Sequence, residues 1–361
     1  MLFFIVRETI TKNNLRKLAF NIGLSGVFIV VVGIAQLISA YVMSIDAFAE
    51  FWALQIERAL YGTAWAHIVI TANTWFAYYK ETIHLRMFSS FPDSHSFPLY
   101  LLMTEVFVLS LFFRENIREK RATYAFLAFL MIFEIVLTGT RGIWISIVFP
   151  LIFLAYAAMK DSLRRYTLYI SLAPLVLFLF LLPVSSLIFG SAQFQLQGNP
   201  EQQGILLKRI RSIIDLSETS NNGRIYIWKE TLRSIQKRPL LGVGIGNFPT
   251  ILKQNPTAIK AGASAHNLYL HIAAELGIIG FIIFILIIYE ILSRGWQLFR
   301  QEEGIVQFFG LQSLLYLIWI LWYSMTDVAI FDERAFLLLM ILTGALFALT
   351  MNHAKQTSRL S

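Results

Sequence analysis

The chain alternates long apolar runs with short polar breaks. Eight runs are long enough to cross a bilayer, which takes about 20 mostly apolar residues. They fall at about 18–43, 97–113, 122–138, 143–159, 166–189, 266–292, 305–325 and 335–350. Each is read as a transmembrane helix. The two runs flanking "TGTRG" (138–142) form a tight hairpin. Between 44 and 96 lies a half-polar stretch whose Trp52, Trp65 and Trp75 read as interfacial or re-entrant helices. The expected fold is all-α: a polytopic membrane helix bundle of about eight spans, one integral membrane domain over 1–361. Residues 190–263 form a large external helical loop within it. No repeat of 20–50 residues stands out.

Composition agrees with a membrane chain. Of 361 residues, 57% are hydrophobic and only 14% charged, against about 25% charged in soluble domains. Cysteine is absent, so disulfides and thiolate-bound metals are excluded. The start, "MLFFIVRETITKNNLRK", has no signal-peptide cleavage pattern.

Lys and Arg concentrate on the cytoplasmic side of short loops. With the N-terminus inside, the segments 1–17, 114–121, 160–165, 293–304 and 351–361 carry fifteen Lys and Arg. The outer segments 44–96, 138–142 and 326–334 carry five. This puts both termini in the cytoplasm. The 190–263 loop is 74 residues long with ten Lys/Arg against four Asp/Glu. Long loops cross regardless of charge. The positive excess therefore sits outside, beside the membrane, where it attracts phosphates of lipids or of a lipid-linked substrate.

Within that loop, 204–220 has apolar residues at helical spacing with Lys208, Arg209 and Arg211 between them, an amphipathic helix on the membrane. Residues 220–242 predict a second helix, capped by Asn221 or Asn222 and stopped by Pro239. Its apolar stripe is Ile225, Trp228, Leu232 and Ile235. Arg224 falls in the first turn, where a cation opposes the helix dipole. A bound anion would compensate it, or it snorkels to solvent. "GVGIGNF" (242–248) lacks the strand–helix context of a nucleotide loop, and its glycines suit a tight turn.

His266 and Asn267 open the sixth span, with Ser264 able to cap it. A helix N-terminus disfavours imidazolium, so a neutral His266 could accept a proton; on spacing alone, a lone His at a helix end is more often an interfacial polar residue. Arg141 lies in the hairpin, where it either pairs with Glu134, seven residues earlier, or binds an anion. Glu105 and Glu275 are intramembrane carboxylates that could bond between helices or orient the site. Arg86 is a third arginine on the outer side, with Asp93 and His95 as supporting groups. Arginine's planar fork suits phosphate. No His/Asp/Glu cluster has zinc spacing, no acidic pair suggests a divalent ion, and nothing resembles a nucleotide or nucleic-acid site. The expected chemistry uses no cofactor and no metal.

"LTGTRGIW", "NNGRIYIWKETLRSIQKRPLLGVGIGNF" and "SAHNLYLHIAAELGIIG", in that order, resemble the O-antigen ligase/polymerase superfamily. "LRMFSSFPDSHSFPLYL" resembles that family's Arg-x-x-Gly-Thr-Phe-x-x-Pro-Asn segment, with Ser89, Ser90 and Asp93 in place of Gly, Thr and Asn. The resemblance covers about residues 80–290. Family members usually have more spans ahead of the first motif, so the resemblance implies an N-terminally short chain. It also implies a GT-C-type glycosyltransferase in the bacterial plasma membrane with its active site on the outer face. The donor would be a glycan on undecaprenyl pyrophosphate. A ligase passes the glycan to lipid A–core or a similar acceptor; a polymerase passes it to another lipid-linked repeat. By carry-over, His266 would deprotonate or orient the acceptor hydroxyl, Arg141, Arg224 and Arg86 would hold the pyrophosphate, and Asn267 and Glu275 would support the site. A lipid-linked-glycan transporter would instead show internal repeats and a midplane site. An inactive scaffold is the remaining alternative.

Overall fold

A computed structural model describes residues 1–66, 75–79, 82–160, 165–191, 219–253 and 264–357. It is a helix bundle. α1 (Leu2–Thr9) lies ahead of α2 (Leu15–Val42). A short stretch then runs through α3 (Ile45–Ala49), a π-helical segment Glu50–Glu57 and α4 (Arg58–Tyr61). A small antiparallel hairpin follows, β1 (Phe76–Tyr79) on β2 (Thr82–Leu85), pairing Phe76 with Leu85. Then come α5 (Ser96–Arg114), α6 (Arg118–Leu137), α7 (Arg141–Ser146), α8 (Val148–Lys160) and α9 (Arg165–Ser191). After these are α10 (Thr219–Lys237), α11 (Phe248–Ile251), α12 (Leu268–Gln301), α13 (Gly304–Tyr323) and α14 (Glu333–Thr357). The hairpin is the one departure from an all-helical chain among the described residues. The amphipathic helix expected at 204–220 falls almost wholly outside them.

Seven segments among the described residues are long and apolar enough to cross a membrane: α2, α5, α7 with α8, α9, α12, α13 and α14. The eighth expected span, α6, carries Lys120, Arg121 and Glu134 within its 20 residues. It still runs the length of the bundle. Three residues join it to the end of α5, and its last turn returns to the start of α5's side, where Met87 N–H donates to Leu137 O (3.2 Å).

Two helices form the centre. α5 and α13 are buried nearly all round, the pattern of a helix enclosed by others. Phe107 and Phe309 meet between them at 5.5 Å, and Phe113 stacks on Phe308 at 4.4 Å. α2 and α12 instead expose apolar faces, among them Phe20, Leu24 and Phe28 on one and Ile279, Ile282 and Leu286 on the other. Such faces suit lipid rather than water.

The tryptophans of the half-polar stretch pack inward rather than lying along two plain helices. Trp52 and Trp75 are buried with Phe48, Leu85 and Phe88 in a small separate core, and Trp75 stacks on Phe88 at 4.0 Å. The reason is that the π-helical turn and the hairpin fold over the end of α2 and bury each other's aromatics. Gln36 of α2 fastens this cap by accepting from Phe88 N–H (2.9 Å) and Ser89 N–H (3.2 Å).

α12 cannot be straight. Gly295 and Gly310 press together, and Leu268 N–H donates to Ser324 O (2.7 Å). Between those contacts α13 and its cap need about 21 Å, but the matching stretch of α12 is about 40 Å long at 1.5 Å per residue. Gly277, at φ +66°, ψ −171°, breaks the helix and folds its first turns over. A side chain there would overlap Leu240 O, so only glycine serves.

Candidate functional site

Arg86, Arg141, Arg224, His266, Asn267 and Glu275 lie towards one end of the bundle, the end of the cap, the α6–α7 turn and the α13–α14 loop, whereas Glu105 and Glu134 are buried within α5 and α6. Hydrogen bonds tie the segments together. Arg86 Nε donates to Thr138 O (3.2 Å) and one Nη to Thr140 Oγ1 (3.3 Å). Thr140 Oγ1 donates to Ser94 O (2.8 Å). Arg86 thus braces the turn that ends at Arg141. Arg141 opens α7 half-buried. Its neighbour Gly142 packs so closely on Tyr323 and Thr326 that a Cβ would collide with Thr326.

Ser89 stands at φ +53°, a conformation that glycine adopts at least cost. Ser89 sits where the resembling segment has Gly, and its hydroxyl donates to Ile29 O (2.7 Å). Asp93 accepts from His95 N–H and Ser96 N–H, both at 2.7 Å. It therefore fastens the start of α5. Burial pushes its carboxyl above the usual range despite those bonds.

His266 occupies the turn before α12. Asn267, not Ser264, caps that helix, accepting from Leu270 N–H (3.0 Å). Ser264 instead accepts from His266 N–H (3.2 Å). The cap shifts because His266 adopts φ +45°, which leaves Asn267 as the last extended residue before the helix. A non-glycine residue in that region carries strain. Trp228 Nε1 of α10 donates to Ala265 O (2.8 Å) and pins the turn from outside.

The group that sequence reading did not single out is Asp327, in the α13–α14 loop. Its Oδ2 lies 3.7 Å from His266 Nδ1 and 3.2 Å from His95 Nδ1. His95 Nδ1 also meets Tyr323 Oη at 3.1 Å. Burial raises Asp327, but His95, His266 and Arg224 outweigh it and hold the carboxyl below the usual range. Burial lowers His95 to about 3, with Asp327 opposing and Arg86 and Arg224 reinforcing, so His95 is neutral at pH 7. Nδ1 of His266 is buried while its side chain is 41% exposed. The edge open to a ligand is therefore the far one, carrying Nε2.

Arg224 is half-buried on α10, within electrostatic range of both His95 and Asp327. It is the sixth residue of the helix, not in its first turn, because the helix begins at Thr219. Of the expected stripe, Ile225, Trp228 and Ile235 are half-buried, but Leu232 is 49% exposed and Thr231 is buried beside Ile227 in its place. The α10 face is set by docking on the 264–267 turn and α12.

Glu275 has a structural duty. It accepts from Phe248 N–H (3.0 Å), while Val243 and Gly244 N–H donate to Ala274 O and Glu275 O. Gly242, Gly244 and Gly246 all take positive φ, the tight turn expected of "GVGIGNF". His271 stacks on Phe248 at 4.7 Å, which fixes it in the same clamp.

One expected pair is not formed. Glu134 is fully buried against Gly33 of α2, and neither of its carboxylate oxygens has a hydrogen-bond partner. It does not pair with Arg141, because Glu134 points into α2 and Arg141 begins the next helix beyond the turn. Among the described residues no group of three His, Asp or Glu side chains is placed to hold a metal ion.

Fold and site together define a polytopic membrane helix bundle with a His–Asp pair and three arginines from separate segments at one end. Residues 126–285 match the family model described as O-antigen ligase. The match takes in the Thr138–Arg141 turn, α10 and the first part of α12, and it bears out the resemblance to that superfamily. It supports a membrane protein of ligase- or polymerase-like function, whose partners are in general a lipid-linked glycan and a glycan acceptor. No curated protein matches the chain.

Proposed function

We propose that this end of the bundle is the active site of a membrane glycosyltransferase of the ligase type. It moves a glycan from a polyprenyl pyrophosphate, undecaprenyl pyrophosphate in bacteria, to an acceptor hydroxyl on the outer face of the plasma membrane. The observation that carries this reading is the His266–Asp327 pair at the end of the bundle where Arg86, Arg141 and Arg224 also lie. Asp327 Oδ2 lies 3.7 Å from Nδ1, beyond hydrogen-bond length, so it orients the imidazole by charge, and a small turn of the ring would close the bond that a carboxylate makes to a catalytic His. Nε2 takes the proton of the acceptor hydroxyl as its oxygen bonds to the anomeric carbon. The anomeric C–O bond breaks, and its electron pair goes to the pyrophosphate. Arg141 and Arg224 stabilise that growing charge. Arg86 contributes by positive potential and by holding the Thr138–Arg141 turn. Asn267 and Glu275 keep the turn and the clamp in place.

The charge asymmetry of the loops supports cytoplasmic termini and an outward-facing site. A polymerase would use the same donor and the same residues, and differs only in whether the acceptor is lipid A–core or another lipid-linked repeat. The test is transfer by the reconstituted full chain. Arg224→Lys should lose about tenfold or more in kcat/KM for a pyrophosphate-linked donor, since an ammonium cannot make a two-pronged contact. Unchanged kcat/KM would remove Arg224 from pyrophosphate binding.

A further inference from the structure

At the opposite end of the bundle from His266, α2 with Asn13 ahead of it, α5 and α6 line an open cleft of about 690 Å³. Arg16 and Lys17 enter it from the first turn of α2, and Lys120 from the first turn of α6. Asn13 and Thr123 add hydrogen-bonding groups at the rim. Glu115 is the acidic neighbour. Its Oε1 already accepts from Asn116 and Ile117 N–H (3.1 Å each) and its Oε2 from Arg16 (2.7 Å). Arg16 remains 56% exposed, so its other donors face outward. Lys17 and Lys120 are exposed; Glu115, held low first by the Ile117 N–H, also feels both Arg16 and Lys120, so one carboxylate faces three cations. The cleft therefore holds more positive charge than it neutralises.

Its other wall is apolar. Phe20, Leu111 and Tyr124 line it. Phe20 is also the first of an exposed apolar face on α2 that continues through Leu24, Val27 and Phe28 down the side of the bundle. A diffuse cationic collar would satisfy the loop-charge rule without any concavity. Here the cations instead surround a hollow whose floor leads onto a lipid-facing face. That combination fits an amphiphile: a negative head among the amines and an acyl chain along α2. Basic pockets between membrane helices suit anionic lipid heads for this reason. We propose that this cleft is a binding site for an anionic phospholipid, held by its phosphodiester at Arg16, Lys17 and Lys120. A free phosphate shares the head chemistry but leaves the apolar wall unused.

The full chain in detergent, titrated with phosphatidylglycerol or phosphatidylcholine and read by native mass spectrometry, tests this. Phosphatidylglycerol should be retained about tenfold more than phosphatidylcholine. Lys17→Gln with Lys120→Gln should remove most of that tenfold preference, since each cation contributes about 1 kcal/mol, or about fivefold. Inorganic phosphate at millimolar concentration should not displace the lipid. Equal retention of the two lipids, retention unchanged in the double variant, or displacement by phosphate would each overturn the proposal. If the double variant fails to fold, the lipid-dependent rise in melting temperature of the unaltered chain decides. The rise should appear with phosphatidylglycerol and not with phosphatidylcholine, and its absence overturns the site. None of these readouts involves glycan transfer, so they stand apart from the fate of the His266 site.

Discussion

A buried carboxyl beside the candidate site gives a prediction that does not depend on activity. Glu57 lies fully buried on the π-helical segment. Burial raises it from 4.5 to about 8, against the opposing influence of Trp65 and Arg334. Between those values the folded chain binds a proton that the unfolded chain has lost. Glu57's contribution to stability therefore falls as pH rises from 4.5 to 8, while the lowered His95 contributes in the opposite sense up to about 6.5. Glu57→Gln removes the proton's role. Its melting temperature in detergent should match the parent's near pH 4.5 and exceed it by several degrees at pH 8.5. A gap between parent and Glu57→Gln that does not widen from pH 4.5 to 8.5 would contradict the assignment.

At the same scale, the reading of individual residues was uneven. Arg86, Arg141, Arg224, His266 and Asn267 stood out because polar groups beside apolar spans are costly and few. Asp327 did not, because nothing in "SMTDVAIFDERAF" distinguishes it from the helix-capping Asp332 five residues later. Only the fold brings it to His95 and His266, from a loop 60 residues further along. Glu134 misled for the opposite reason. Helical spacing suggested a partner at Arg141, but spacing cannot say that the helix ends between them.

At the scale of elements, the spans were legible to within a few residues, since twenty apolar residues leave few alternatives. The kink at Gly277 was not legible, because one glycine in an apolar helix has many explanations. It is forced by the mismatch in length between α12 and α13. Gly277→Ala should therefore be severe: the added methyl meets Leu240 O and the residue must hold φ +66°. Loss of several kcal/mol, seen as a marked drop in melting temperature, is expected. Gly223→Ala, in α10 with nothing near the new methyl, should be neutral or stabilise by about 0.5–1 kcal/mol. Equal effects of the two would remove the kink as a required feature.

The aromatic cap over α2 also escaped the sequence. Trp52, Trp65 and Trp75 read as marks of interfacial or re-entrant helices because tryptophan favours that depth. Their burial depends on the β1–β2 hairpin, a short element in a half-polar stretch. Composition does not mark it.

At the scale of the whole molecule, the alternating loop charges gave the two ends of the bundle, and the hydrogen-bonded ties between loops agree with that division. Lys12 pairs with Glu302 and Arg16 with Glu115 at one end; Arg86, Thr138, Leu268 and Ser324 are joined at the other. Because the chain has no cysteine, single cysteines can report sidedness. Glu8→Cys and Lys229→Cys should react with an impermeant maleimide from opposite faces of sealed vesicles. Reaction of both from the same face would refute the arrangement.

The central claim is that Asp327 and His266 act as one unit in glycan transfer. A double-mutant cycle measures it: initial rates of transfer from a polyprenyl-pyrophosphate donor in proteoliposomes for the parent, His266→Ala, Asp327→Asn and the pair. Each single change should lower the rate by about 10²–10⁴-fold, with normal incorporation, and the double variant should be no slower than His266→Ala. Parental rates for His266→Ala, or losses that multiply in the double variant, would contradict the account.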